Sequence, residues 1–179
     1  DSWGAIFDEQ YAGSTAIVDD YARTPAYTAL FLKENNMADI DVPHNMTPDE
    51  IETVIDYLIE KKNAGQFTTI WSSFQNIVSL HQNGEVVISD GYEPAAVVLR
   101  SQGVEVGYPP LKEGPFAFMN GWMLTKGGKD RGRENAYYRL CEYCMHPQYS
   151  ADMLKTRNFL GSADPDLDAP TLVEGLPGV

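Results

Sequence analysis

Thr47-Pro48-Asp49-Glu50-Ile51-Glu52-Thr53-Val54-Ile55-Asp56-Tyr57-Leu58 carries the clearest helix-start signal in the chain. Thr47 is placed to cap the helix and Pro48 suits its first position. Glu50, three residues after the cap, completes a capping box. Ile51, Val54, Ile55 and Leu58 then recur at i, i+3, i+4 and i+7, which predicts one apolar helix face, and Gly65 closes the helix. Phe67 to Trp71 follows as a strand, and Ser73 caps a second helix running to about Leu80. Helix, strand and helix in such close succession predict an α/β fold.

The same alternation extends in both directions. Upstream, Ser14 to Val18 is a short β-prone run ending in Asp19-Asp20, and Thr24-Pro25 opens a helix through Lys33. Downstream, Asn83-Gly84 turns into a strand over Glu85 to Ser89. Glu93 to Gln102 is a helix stopped by Gly103, and Val104 to Tyr108 is a further strand. Strands separated in this way imply a largely parallel sheet. The pattern changes at the loop Pro109 to Pro115. Phe116 to Thr125 is an apolar strand candidate, Lys126 to Gly132 a polar glycine loop, and Ala136 to Met145 a helix ended by His146-Pro147. A short helix is expected from Gln148 to about Lys155, and the Pro- and Gly-rich tail from Asn158 should hold little regular structure.

Charge narrows the function classes. Thirteen Lys plus Arg stand against 26 Asp plus Glu among 179 residues, a formal net charge of −13. That balance opposes nucleic acid and anionic membrane surfaces, and it mildly enriches cationic solutes nearby. No apolar run approaches the ~20 residues of a membrane span.

Catalytic signatures are missing. There is no GxSxG, P-loop, HExxH or dinucleotide fingerprint, and His44, His81 and His146 lie in separate contexts. No metal and no organic cofactor are expected. Cys141 and Cys144 form a CxxC, but they fall inside a helix at i and i+3 and read as packing. A thiol redox protein using this pair is the enzymatic alternative, and a sensor domain on the same fold is another.

A binding reading has more support. In open α/β sheets ligands prefer the crevice beyond the carboxyl ends of the strands. Asp19 and Asp20 end the first strand, Trp71, Ser72 and Ser73 end the second, and Asp90, Tyr92 and Glu93 follow the third. Carboxylates there offer charge-assisted hydrogen bonds, and aromatic faces cover methylenes and attract ammonium groups. Each residue also has a structural use: Asp19-Asp20 can cap the next helix, Trp71 can be core, and Arg23 can pair with these aspartates or clamp a carboxylate.

The ordered set Ser2-Trp3, Phe7-Asp8, Tyr11, Gly13, Val18-Asp19-Asp20, Asn83-Gly84-Glu85-Val86, Tyr92, Lys112-Glu113-Gly114, Phe118-Met119-Asn120, His146-Pro147 and Asn158-Phe159 resembles the second lobe of spermidine/putrescine-type periplasmic solute-binding proteins of ABC transporters. The resemblance covers about residues 2 to 165. It implies a type II periplasmic binding fold: a three-layer α/β lobe over residues 1–114 and part of a second lobe over 115–160. An irregular tail over 161–179 would return toward the first. It further implies a C-terminal portion of a longer protein, a periplasmic or extracellular location and a transporter permease as partner. The implied solute is small and polar or cationic, polyamine-like, and bound without chemistry. The implied ligand contacts are Asp20, Tyr92 and Phe118. Asn120 stands where polyamine binders carry an amine-binding Asp, and Thr24-Pro25 replace a second acidic contact. Asp19, Trp71, Ser73, Asp90 and Glu93 complete the candidate ligand-binding set. An apolar surface over 116–160, without its usual cover, is expected to form a homodimer.

Overall fold

The computed structural model describes residues 1–115, 121–146, 148–149 and 152–153. It divides into two compact units, Asp1–Phe116 and Ala117–Val179.

The first unit is built around one fully buried strand, β1 (Thr15–Val18). β2 (Phe67–Trp71) and β3 (Ile88–Ser89) flank it, both parallel to it, in the order β2-β1-β3. Helices α1 (Arg23–Glu34) and α2 (Pro48–Asn63) connect β1 to β2. Then α3 (Phe74–Gln82) leads to β3, and α4 (Glu93–Ser101) follows. Side chains alternate across a strand, so β1 feeds two cores at once. Ile17 joins Trp3, Ile6 and Phe7 of a 3-10 turn, Tyr27 and Leu32 of α1, and Val54 and Leu58 of α2. Ala16 and Val18 join Trp71, Ile77 and Leu80 of α3, and Ala95 and Leu99 of α4. Helices thus cover both faces of a mixed α/β unit with a small parallel sheet.

One irregularity in β2 aims Trp71. Thr15 pairs with Phe67 but Ala16 pairs with Thr69, leaving Thr68 as an extra residue. A one-residue offset sends later side chains to the opposite face. Phe67 accordingly packs with the first core, whereas Trp71, of the same parity, packs with the second. The Thr68 hydroxyl donates to the Gly13 carbonyl at 2.7 Å, which anchors the extra residue.

The start of β2 is tied to the N-terminal segment by Gln66, which is 2% exposed. Its Nε2 donates to the carbonyls of Ile6 at 2.9 Å and Asp8 at 3.0 Å. Gln66→Leu keeps the volume and removes both donors. It is expected to lower the unit's stability by about 2 kcal/mol in urea titration, and an unchanged midpoint would contradict this.

Two short motifs more than a hundred residues apart meet at the unit's ends. The Ser2 hydroxyl and the Trp3 backbone N–H both donate to the Glu113 carboxylate, and the Trp3 indole donates to the Gly114 carbonyl at 3.1 Å. Gly114 has φ +95°, a backbone conformation that side-chain-bearing residues avoid.

Several expectations need correction. The α2 capping box is present, with Thr47 and Glu50 bonded reciprocally. Only Val54 and Leu58 of its apolar face are buried, however, while Ile51 and Ile55 are exposed. α2 packs on α1 along a narrow stripe that leaves the outer isoleucines uncovered. The strand expected over 85–89 shrinks to Ile88–Ser89. Val104 to Tyr108 is not a strand: Val104 and Val106 rest against the second core, and the Val106 carbonyl accepts from Arg100 Nε at 2.9 Å instead of from a neighbouring strand.

In the second unit, residues 121–125 are not a strand, and the expected glycine loop holds a short helix, α5 (Lys126–Asp130). Thr125 starts it by accepting the Gly128 N–H at 3.1 Å, a cap that offsets the poor helix preference of Gly127 and Gly128. α6 (Glu134–Met145) carries Cys141 and Cys144 as expected, both part-exposed free thiols. Residues 116–120, the tail from 158 and much of the expected helix at 148–155 lie outside the described residues.

Candidate functional site

At the carboxyl edge of the sheet β1 ends at Val18, and the Asp19 N–H continues the ladder to the Trp71 carbonyl at 2.8 Å. The chain then turns into α1. Asp20 makes that turn, its Oδ1 accepting the N–H groups of Ala22 and Arg23, each at 2.9 Å. Those two N–H bonds, Arg23's first, hold the Asp20 carboxyl below its usual range, so it stays ionised. Thr24 completes the turn by donating to the Val18 carbonyl at 2.7 Å.

The centre of this edge is a buried ion pair. Asp90, directly after β3, is 2% exposed and accepts from Arg23 Nη2 at 2.9 Å and from the Trp71 indole at 2.9 Å. Burial pushes its carboxyl up to about 6, against the opposing pull of Arg23 and then of the indole. The guanidinium carbon of Arg23 lies 4.4 Å from the Tyr92 ring centre and 5.8 Å from that of Trp71. The two rings meet edge-on at 6.4 Å. Tyr27, one turn along α1 from Arg23, is wholly buried, and burial first and the charge of Asp90 second raise its phenol well above the ordinary range.

This geometry sorts the candidate residues. Asp20, Arg23, Trp71, Asp90 and Tyr92 converge on one edge through bonds and ring contacts. Trp71 and Asp90, however, face inward, their polar atoms engaged with each other and with Arg23, so they support the edge rather than line it. Arg23 pairs with Asp90, not with the side chains of Asp19 or Asp20 as the sequence suggested, because Asp20 is turned toward the backbone of α1. Ser73 caps α3 by accepting the Asn76 N–H at 3.2 Å. Asp19, Ser72, Ser73, Tyr92 and Glu93 are exposed and Asp20 partly so. The exposed charged and aromatic groups are therefore Asp19, Glu93 and Tyr92, with Asp20 partly exposed, and the Arg23 guanidinium is paired with buried Asp90. Phe118 and Asn120 lie outside the described residues. The central role of Arg23 is what sequence reading missed; its signal was a cation three residues after a strand-terminal Asp, facing a second such Asp after β3.

Residues 1–174 match the family of bacterial extracellular solute-binding proteins. The chain belongs to that family. As an extracellular solute-binding protein it binds a solute for transport, works with an ABC transporter, acts outside the cytoplasm and is not an enzyme. The thiol redox reading of Cys141 and Cys144 falls with that last point. The family description names no solute, and a comparison with curated proteins gives no match. Among the described residues no helix is long and apolar enough to cross a membrane, and no cluster of three His, Cys, Asp or Glu could hold a metal ion.

Proposed function

We propose that this solute-binding protein takes a small cationic, amine-bearing solute at the carboxyl edge of its parallel sheet. The polyamine class is the one its sequence resemblance implies. The supporting observation is the sign of the edge: Asp19, Glu93 and Tyr92 are exposed and Asp20 partly so, while the charge of Arg23 is already met by buried Asp90. An ammonium group leaving water needs charged acceptors, and a methylene stem gains from an aromatic face. Ionised Asp20 supplies the first and Tyr92 the second.

Calorimetric titration with amine hydrochlorides tests this reading. Asp20→Asn is expected to weaken amine binding about tenfold or more, equivalent to ~1.4 kcal/mol. Equal affinity in the variant, or a preference for carboxylic acids in the wild type, would refute it. Self-association is a separate proposal. Trp122, Met123, Tyr138, Leu140, Tyr143 and Met145 are exposed in the second unit, and burial against an identical copy would cover such a surface. Light scattering should give a dimer mass at micromolar concentration, and a monomer mass would end the proposal.

A further inference from the structure

Asp90, Trp71 and Tyr92 form a box of the composition that holds organic cations, one buried carboxylate beside two aromatic rings. The protein fills that box itself. Arg23 places Nη2 on Asp90 at 2.9 Å and its guanidinium carbon 4.4 Å from the Tyr92 ring centre. Its Nη1 is buried and has no hydrogen-bond acceptor among the described residues. This cation is therefore held by one carboxylate and by ring contacts, not by the full set of acceptors that a guanidinium can use.

We infer that Arg23 is a specificity-determining residue, its guanidinium occupying the place that a second cationic group of a solute would take. The site therefore prefers solutes with one ammonium group over diamines. A single ammonium is served by exposed Asp19 and Glu93 and by part-exposed Asp20. The second ammonium of a diamine, directed toward the aromatic and carboxylate groups beneath, meets a like charge already in position. This rests on the cationic-solute reading above and narrows it to solutes with one ammonium group.

The test has two arms. Calorimetric titration of the full 179-residue chain with 1-aminobutane and with putrescine reads the preference. At least about tenfold tighter binding of the monoamine is expected, and equal or tighter putrescine binding overturns the inference. The second arm uses Arg23→Ala, which empties the box, and Arg23→Met, which refills it with an uncharged chain. Millimolar methylguanidinium chloride should raise the melting temperature of Arg23→Ala by about 3–5 °C and leave the wild type and Arg23→Met unmoved. No shift in Arg23→Ala, or the same shift in all three, overturns the inference. If the wild type binds neither amine, the proposed solute class fails, and the methylguanidinium arm still decides whether Arg23 fills a cation box.

Discussion

Arg23→Met is expected to destabilise the first unit by about 3–5 kcal/mol at pH 7.5, the range seen when one partner of a buried pair is removed. The pair itself need not contribute that much net stability. The loss arises because Asp90, 2% exposed, would keep its desolvation and lose its cation, with the neutral Trp71 indole and backbone hydrogen bonds left to hold the charge. The protein's way out is to protonate Asp90. The penalty should therefore shrink as pH falls, with Arg23→Met approaching the wild type near pH 5. Urea titration at both pH values measures it. A penalty below about 1 kcal/mol, or one that does not change with pH, would mean that the pair is not the keystone of this edge.

A second large effect follows from the same carboxyl in the unaltered protein. Burial raises Asp90 from the ordinary 3.8 to about 6. Between those values the folded state binds more protons than the unfolded chain, so stability falls as pH rises through the window. The contribution is fully present below about pH 4 and gone above about pH 6, amounting to about 3 kcal/mol. Asp20, Glu50 and Glu113 act in the opposite sense, because their carboxyls lie below the usual range and favour the folded state once ionised. Comparison with Asp90→Asn separates these terms, since the other carboxyls are common to both proteins. The stability of wild type relative to Asp90→Asn should drop by about 2 kcal/mol from pH 4 to pH 7. A difference that is flat across this range would show that Asp90 titrates normally.

What could be read from the sequence depended on whether the information was local. The capping box at Thr47 and Glu50, the cap at Ser73 and the ends of α1 and α4 are fixed by residues within one turn, and they were legible. The strand ends carrying Asp19, Asp20 and Asp90 were legible too, which placed most of the candidate residues on one edge. Burial of α2 was not, since apolar spacing alone cannot say that only Val54 and Leu58 meet a neighbour. Nor was the extra residue Thr68, which turns Trp71 away from the face that Phe67 occupies, because it exists only in the pairing with β1. The same limit hid the partner of Arg23: Asp20 is near in sequence, but its carboxylate is committed to the backbone of α1, and the cation reaches across to Asp90. Asn35 likewise joins Glu113 to the close of the first unit through contacts that no spacing rule anticipates.

The most direct measurement of where and what this protein binds is amide chemical-shift mapping during titration of the full chain with 1-aminobutane hydrochloride. Binding at the proposed site should shift the amides of Asp19 to Arg23, Ser72 to Phe74 and Gly91 to Glu93, saturably and together. The same titration of Asp20→Asn should give a weaker curve. Saturable shifts confined to other parts of the chain, or none with amines but a clear set with a carboxylic acid, would contradict a cationic solute held at the carboxyl edge of the sheet.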